Sequence, residues 1–152
     1  MTRRDVFERY PKSGDNLISI LHDLQDGNEW NYLSKEDLQA AADYLELPYS
    51  FVHGVATFYT MFSLKPRGRH IIRVCQSPPC QLMGATTVSD ELKNLLSVDF
   101  GQTSADQMFT LEMTSCLGVC GVAPAMMVDG DVYGNLTPKR VKEIITQVRR
   151  QS

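Results

Sequence analysis

Cysteine occurs four times, in two close pairs: Cys75 with Cys80, spaced C-x4-C, and Cys116 with Cys120, spaced C-x3-C. Each pair sits in a Pro- or Gly-rich segment at the end of a predicted strand, VCQSPPCQLMG and SCLGVCGVAP. Two loops at the same edge of one sheet would bring the four sulfurs together. Several chemistries compete for such a set. Disulfides are not expected, because the chain lacks a secretory signal and is long enough to build a core without bridges. Tetrahedral zinc suits four thiolates, but the tight C-x2-C knuckle of most zinc sites is absent from both pairs. A [2Fe–2S] rhomb is wider than one ion and takes two soft ligands on each iron, so longer loops fit it better. Gly118 and Gly121 would let main-chain N–H groups approach the sulfurs, or serve turn geometry alone. A thiol–disulfide enzyme is a further reading, and it lacks any C-x-x-C pair.

The chain around these pairs changes character near Lys65-Pro66-Arg67-Gly68, where Pro and Gly interrupt both helix and strand. Residues 1–66 carry 6 basic and 10 acidic side chains (net −4), and residues 67–152 carry 9 and 8 (net +1). The expected domains are therefore 1–66, helical, and 67–152, mixed α/β. In the first, Leu17, Leu21 and Leu24 share one helical face. Ser34 is a good N-cap for a helix with Leu38, Ala41, Ala42 and Leu45 in a narrow stripe of small residues. Pro48 opens a third helix, predicted to reach Phe62, with Phe51, Val55, Phe58 and Phe62 on one face. Phe51, Phe58, Tyr59 and Phe62 are read as core residues first and interface residues second.

After Gly68 the predicted order is strand, helix, strand, hairpin, helix. His70–Val74 is β-branched and short. One helix is expected from Cys80 to about Leu96. Met108 to Met113 alternates in strand fashion, and Asp129-Gly130 marks a hairpin turn. Thr137 caps a last helix that begins at Pro138 and buries Val141, Ile144, Ile145 and Val148. This is a four-stranded sheet with helices available for both faces and a strand–helix–strand start expected to cross over right-handed.

Composition narrows the function. A net charge of −3 argues against binding along a phosphate backbone. No apolar run approaches a membrane span, and MTRRDVFERYPKSGDN has no signal-peptide core, which leads us to expect a cytoplasmic protein. Neither a G-x-G-x-x-G nor a Walker-type loop is present, and no Ser/His/Asp set stands out. Any hydride step would belong to a partner, with single electrons handled here. His70, five residues before Cys75, is a weak candidate for a mixed Cys/His cluster. His22 and His53 are expected at helix surfaces or core edges, and Met126 and Met127 in strand packing.

The arrangement Cys75-x4-Cys80, then Cys116-Leu-Gly-Val-Cys120-Gly, Ala123-Pro124 and Tyr133-Gly-Asn-Leu-Thr-Pro138, closely resembles the thioredoxin-like [2Fe–2S] subunit of respiratory complex I, the NuoE family. HGVATFYTMF, His53 to Phe62, is similar to the helical N-terminal part of that family. The Ser77-Pro78-Pro79 insert is proline-heavy for it. The resemblance implies a thioredoxin-like sheet behind a helical bundle. It also implies a [2Fe–2S] cluster held by Cys75 and Cys80 on one side and Cys116 and Cys120 on the other, with no catalytic residue on this chain. It further implies an electron-transfer subunit beside a NuoF-like partner that binds FMN and NAD(H), a module shared by complex I, NAD-linked hydrogenases, formate dehydrogenases and electron-bifurcating complexes. A zinc-stabilised interaction module is the rival reading.

Overall fold

Among the described residues, 2–151 of a computed structural model, four α-helices occupy the stretch before Gly68: α1 (Arg3–Phe7), α2 (Leu17–Asp26), α3 (Lys35–Leu45) and α4 (Tyr49–Phe58). They form one compact unit that ends at Arg67, and a second begins at Gly68. Ser34 caps α3 as expected, and does so reciprocally. Its Oγ accepts from Asp37 N–H (3.1 Å), and Asp37 Oδ2 accepts from Ser34 N–H (2.9 Å). Leu17, Ile20, Leu21 and Leu24 of α2 pack with Leu38, Ala41, Ala42 and Leu45 of α3 in a single core. The buried Gln25 amide ties this core to the chain after α4, donating to Met61 O (3.0 Å) and accepting from Ser63 N–H (2.8 Å).

The aromatic face of the third helix departs from expectation. The helix ends at Phe58, and Tyr59 is already extended, so Phe62 is buried from the following turn and not from the helix. Phe51 and Phe58 are 55% and 77% exposed, and Tyr59 is exposed too, while Val52 and Ala56 form the buried stripe. Alanines 41 and 42 of α3 permit close approach, which the smaller Val52/Ala56 stripe exploits and a row of phenylalanines would prevent. His22, half-buried against the Phe62 ring at 4.6 Å, and His53 lie at the core edge, as expected.

The second unit runs β1 (His70–Cys75), α5 (Pro78–Leu82), α6 (Ala85–Leu96), β2 (Gln102–Thr103), β3 (Phe109–Thr114), β4 (Met126–Val128), β5 (Asp131–Tyr133) and α7 (Pro138–Gln151). The sheet order is β2-β3-β1-β4-β5, with β1 and β3 parallel and every other pair antiparallel. The sheet thus has five strands and not four, the extra one being the two-residue β2. The single helix expected from Cys80 is two, because Gly84 takes a left-handed φ of 99° between them. The hairpin turns at Asp129-Gly130, and Thr137 Oγ1 accepts from Arg140 N–H (3.3 Å) as the cap of α7.

Strand register decides the packing. Ile72 and Val74 lie beside Leu111 and Met113 on β3 and opposite Val128 and Met126 on β4, so these side chains point to one face. That face shares one core with Val88, Leu92 and Leu96 of α6 and Val141, Ile144 and Ile145 of α7. Both long helices therefore cover the same face, where helices were expected on each. Met126 is fully buried in this core, and Met127 points to the opposite face with Arg73 and its ion-pair partner Glu112 (3.1 Å).

Leu92→Ala should cost about 2–5 kcal/mol, read as a lowered urea midpoint, because the emptied volume lies between α6 and the sheet. Leu82→Ala, on an exposed side chain, should stay within about 0.5 kcal/mol of wild type. Gly68→Ala would place a Cβ 2.9 Å from the Phe109 main chain, which cannot turn aside as a side chain can, and should cost about 1–3 kcal/mol.

Candidate metal centre

Two parallel neighbours end at the same edge of a sheet. Cys75, the last residue of β1, stands opposite Thr114, the last of β3. The antiparallel β4 flanks β1 on its other side and starts at that same edge. The connection from Thr114 to Met126 must therefore cross over the end of β1, and it carries Cys116 and Cys120. Main-chain bonds fix the crossing on both sides. Gln76 N–H donates to Thr114 O (3.1 Å), and Cys75 N–H donates to Ala125 O (3.1 Å). Asn135 N–H donates to Val122 O from the connection that follows β5.

The short α5 brings Cys80 back under this crossing. Pro78 and Pro79 open it with φ already suited to a helix. Cys75 and Cys80 are each only 1% exposed and pack with Ala85, Ala123 and Ala125, against Leu117 and Val119 of the crossing loop. Cys116 and Cys120 are exposed, with their sulfurs 3.5 Å apart. All four thiols are free and stand as two pairs: Cys75 and Cys80 buried in one cluster, and Cys116 hydrogen-bonded to Cys120. Among the described residues, no three His, Cys, Asp or Glu side chains converge to hold a single ion.

The pairs differ in donors as well as in burial. Burial pushes the Cys75 thiol up, but the Ser77 hydroxyl, the N–H groups of Ser77 and Leu117, and Cys80 together bring it down to about 7. Burial and the neighbouring Cys75 push Cys80 up, against an N–H from Ala125. Gly118, at a left-handed φ of 80°, aims its N–H at Cys116 Sγ (3.3 Å) and lowers that thiol. Cys120 is raised, first by Cys116 and also by the charges of Cys80 and Cys75 across the gap between the loops. Four soft donors in two pairs, approached by main-chain N–H groups, fit a binuclear iron–sulfur cluster, whose charge such groups offset.

Sequence reading singled out the four cysteines and offered Gly118 and Gly121 as N–H donors to sulfur or as turn residues, and of these two Gly118 makes such a bond. It missed Ser77, whose Oγ is 3.3 Å from Cys75 Sγ, and the N–H groups of Leu117 and Ala125. A serine directly before two prolines was the available signal. His70 is excluded from the cysteine cluster: it opens β1 at the far end, roughly 17 Å from Cys75 at the rise of an extended strand, with Nδ1 2.8 Å from Asp129 Oδ2.

With no cluster bound, Cys75 should ionise first, in a step of ultraviolet thiolate absorbance near pH 7 that Cys75→Ala removes. Its native pKa lies below the ordinary 9.0, so the unfolded chain holds the proton more tightly between these values. This group's contribution to stability is full above about pH 9 and is lost as pH falls through about 7.

Residues 4–149 match the profile of the thioredoxin-like [2Fe-2S] ferredoxin family. The chain is 37% identical over 140 residues to the NADP-reducing hydrogenase subunit HndA of Solidesulfovibrio fructosivorans, across 92% of this chain and 81% of that protein. It is 36% identical over 146 residues to an NADH-quinone oxidoreductase subunit of Rickettsia bellii, across 95% of this chain and 87% of that one. The crystal structure of an air-oxidised NAD+-reducing [NiFe]-hydrogenase shares the fold, with a TM-score of 0.80 at 22% identity over 92% of this chain and 24% of that one. Profile, relatives and the crossing of two cysteine loops over one strand end agree, and the chain belongs to the thioredoxin-like [2Fe-2S] ferredoxin family.

Proposed function

We propose that this chain is an electron-transfer subunit of a multi-subunit NAD(H)-linked oxidoreductase, binding one [2Fe–2S] cluster through Cys75 and Cys80 on one iron and Cys116 and Cys120 on the other. The observation that carries the reading is the delivery of two thiol pairs to one sheet edge, each within reach of main-chain N–H groups. When bound, the cluster takes up and gives back one electron at a time. The protein holds and tunes it. Cys75 and Cys80 lie among Ala85, Ala123 and Ala125, small apolar side chains that exclude water from one iron. The N–H groups of Leu117, Gly118 and Ala125 offset the added negative charge. Exposed Cys116 and Cys120 present the other iron to a docked partner.

The chain carries no nucleotide-binding loop, so hydride chemistry falls to a NuoF-like partner holding FMN and NAD(H), which exchanges single electrons through the Cys116–Cys120 edge. The names of the relatives, a subunit of an NADP-reducing hydrogenase and a subunit of an NADH-quinone oxidoreductase, support membership of such a complex. Complex I-type, hydrogenase and formate dehydrogenase modules all provide such a partner. Cytoplasmic residence accords with it, and no helix among the described residues is long and apolar enough to cross a membrane.

Anaerobically purified protein should be red-brown, hold about two irons and two sulfides per chain, and become EPR-active on one-electron reduction with dithionite. A colourless protein containing one zinc and no sulfide, even after anaerobic reconstitution with iron and sulfide, would replace this reading with a zinc-stabilised module. Cys116→Ala and Cys120→Ala should each abolish the visible absorption of the native cluster, and a full cluster in both variants would overturn the ligand assignment.

A further inference from the structure

Ser77 occupies the N-cap of α5, where a serine ordinarily accepts from the N–H of the second or third helical residue. Its side chain makes no such bond. Of the two customary donors, the second helical residue is Pro79, which has no N–H to give, and the third, Cys80, does not donate to Ser77. The hydroxyl turns to sulfur instead. Its Oγ is 3.3 Å from Cys75 Sγ. The non-cysteine donors that accompany it come from the main chain, at Ser77 itself, Leu117, Gly118 and Ala125.

We propose that the Ser77 hydroxyl, donating to the Cys75 sulfur, raises the reduction potential of the cluster. The inference rests on the ligand assignment above. A ligand sulfur carries more negative charge after one electron is added, so an O–H aimed at it favours the reduced state over the oxidised one. The step is electron addition alone: no bond forms or breaks, and the hydroxyl proton stays on Oγ. Cys75 is 1% exposed, so little water competes with the hydroxyl, and its dipole acts through a poorly screened gap. The Ser-Pro-Pro insert thus acquires a role: the prolines start the helix that carries Cys80, and Pro79 removes one of the two N–H groups that Ser77 would otherwise cap.

The test uses the full chain, reconstituted anaerobically with iron and sulfide and titrated with dithionite while EPR reads the reduced fraction. Ser77→Ala should lower the midpoint potential, so that at the wild-type midpoint the ratio of reduced to oxidised clusters falls roughly five-fold, the factor one net hydrogen bond commands. Ser77→Thr keeps the hydroxyl and should restore the wild-type potential, whereas Ser77→Val, its near-isostere without the hydroxyl, should behave like Ser77→Ala. Equal potentials across Ala, Val, Thr and wild type, each with two irons, would overturn the proposal. Cluster retained in Ser77→Thr but lost from both Ala and Val would also overturn it, in favour of a role in assembly. Wild-type protein that takes up no cluster would instead bring down the ligand assignment, before any variant is compared.

Discussion

The parallel pairing of β1 with β3 is the constraint on which the second unit depends. It sets Cys75 opposite Thr114, so both strands finish at one edge. With β4 on the other flank of β1, the chain has no path from β3 to β4 except across the end of the strand that carries Cys75. Two cysteine pairs far apart in sequence become neighbours without any attraction between them. A parallel pair needs a crossover longer than a hairpin turn, and here α5 and α6 supply it. The same connection therefore closes the sheet, buries Val88 and Leu92, and carries Cys80 in its first turn.

From that geometry follows an asymmetry in the site. Cys75 and Cys80 belong to the strand and crossover and are buried with alanines, while Cys116 and Cys120 belong to the crossing loop and face outward. Donors are uneven too: Cys75 is approached by two N–H groups and a hydroxyl, whereas the shifts at Cys120 come from the other thiols and from burial. A cluster held as proposed would have one shielded iron and one accessible iron, with water kept from the inner ligands.

Much of the fold was legible because its signals are local. Ser34 with Asp37, Asp129-Gly130, and Thr137-Pro138 each act within a few residues of themselves, and each appears where expected. The failures have physical causes. β2 is two residues long, too short to show periodicity. Residues around Gly84 keep helical apolar spacing through a break made by one main-chain angle. On α4, ranking side chains by size selected the phenylalanines, whereas the separation between helices selected Val52 and Ala56. The placement of α6 and α7 on the same face depends on strand order, which no local pattern reports.

For the site, the division is equally clear. The sequence by itself determined four soft thiols in two spaced pairs and a family resemblance that the matching profile bears out. Only the tertiary structure decided that the pairs reach one sheet edge, which of them is buried, and that Gly118 rather than Gly121 turns its N–H to Cys116, because these depend on the order and direction of strands brought together across many residues. Residue type specifies what chemistry a side chain can do. Strand topology specifies which side chains do it together.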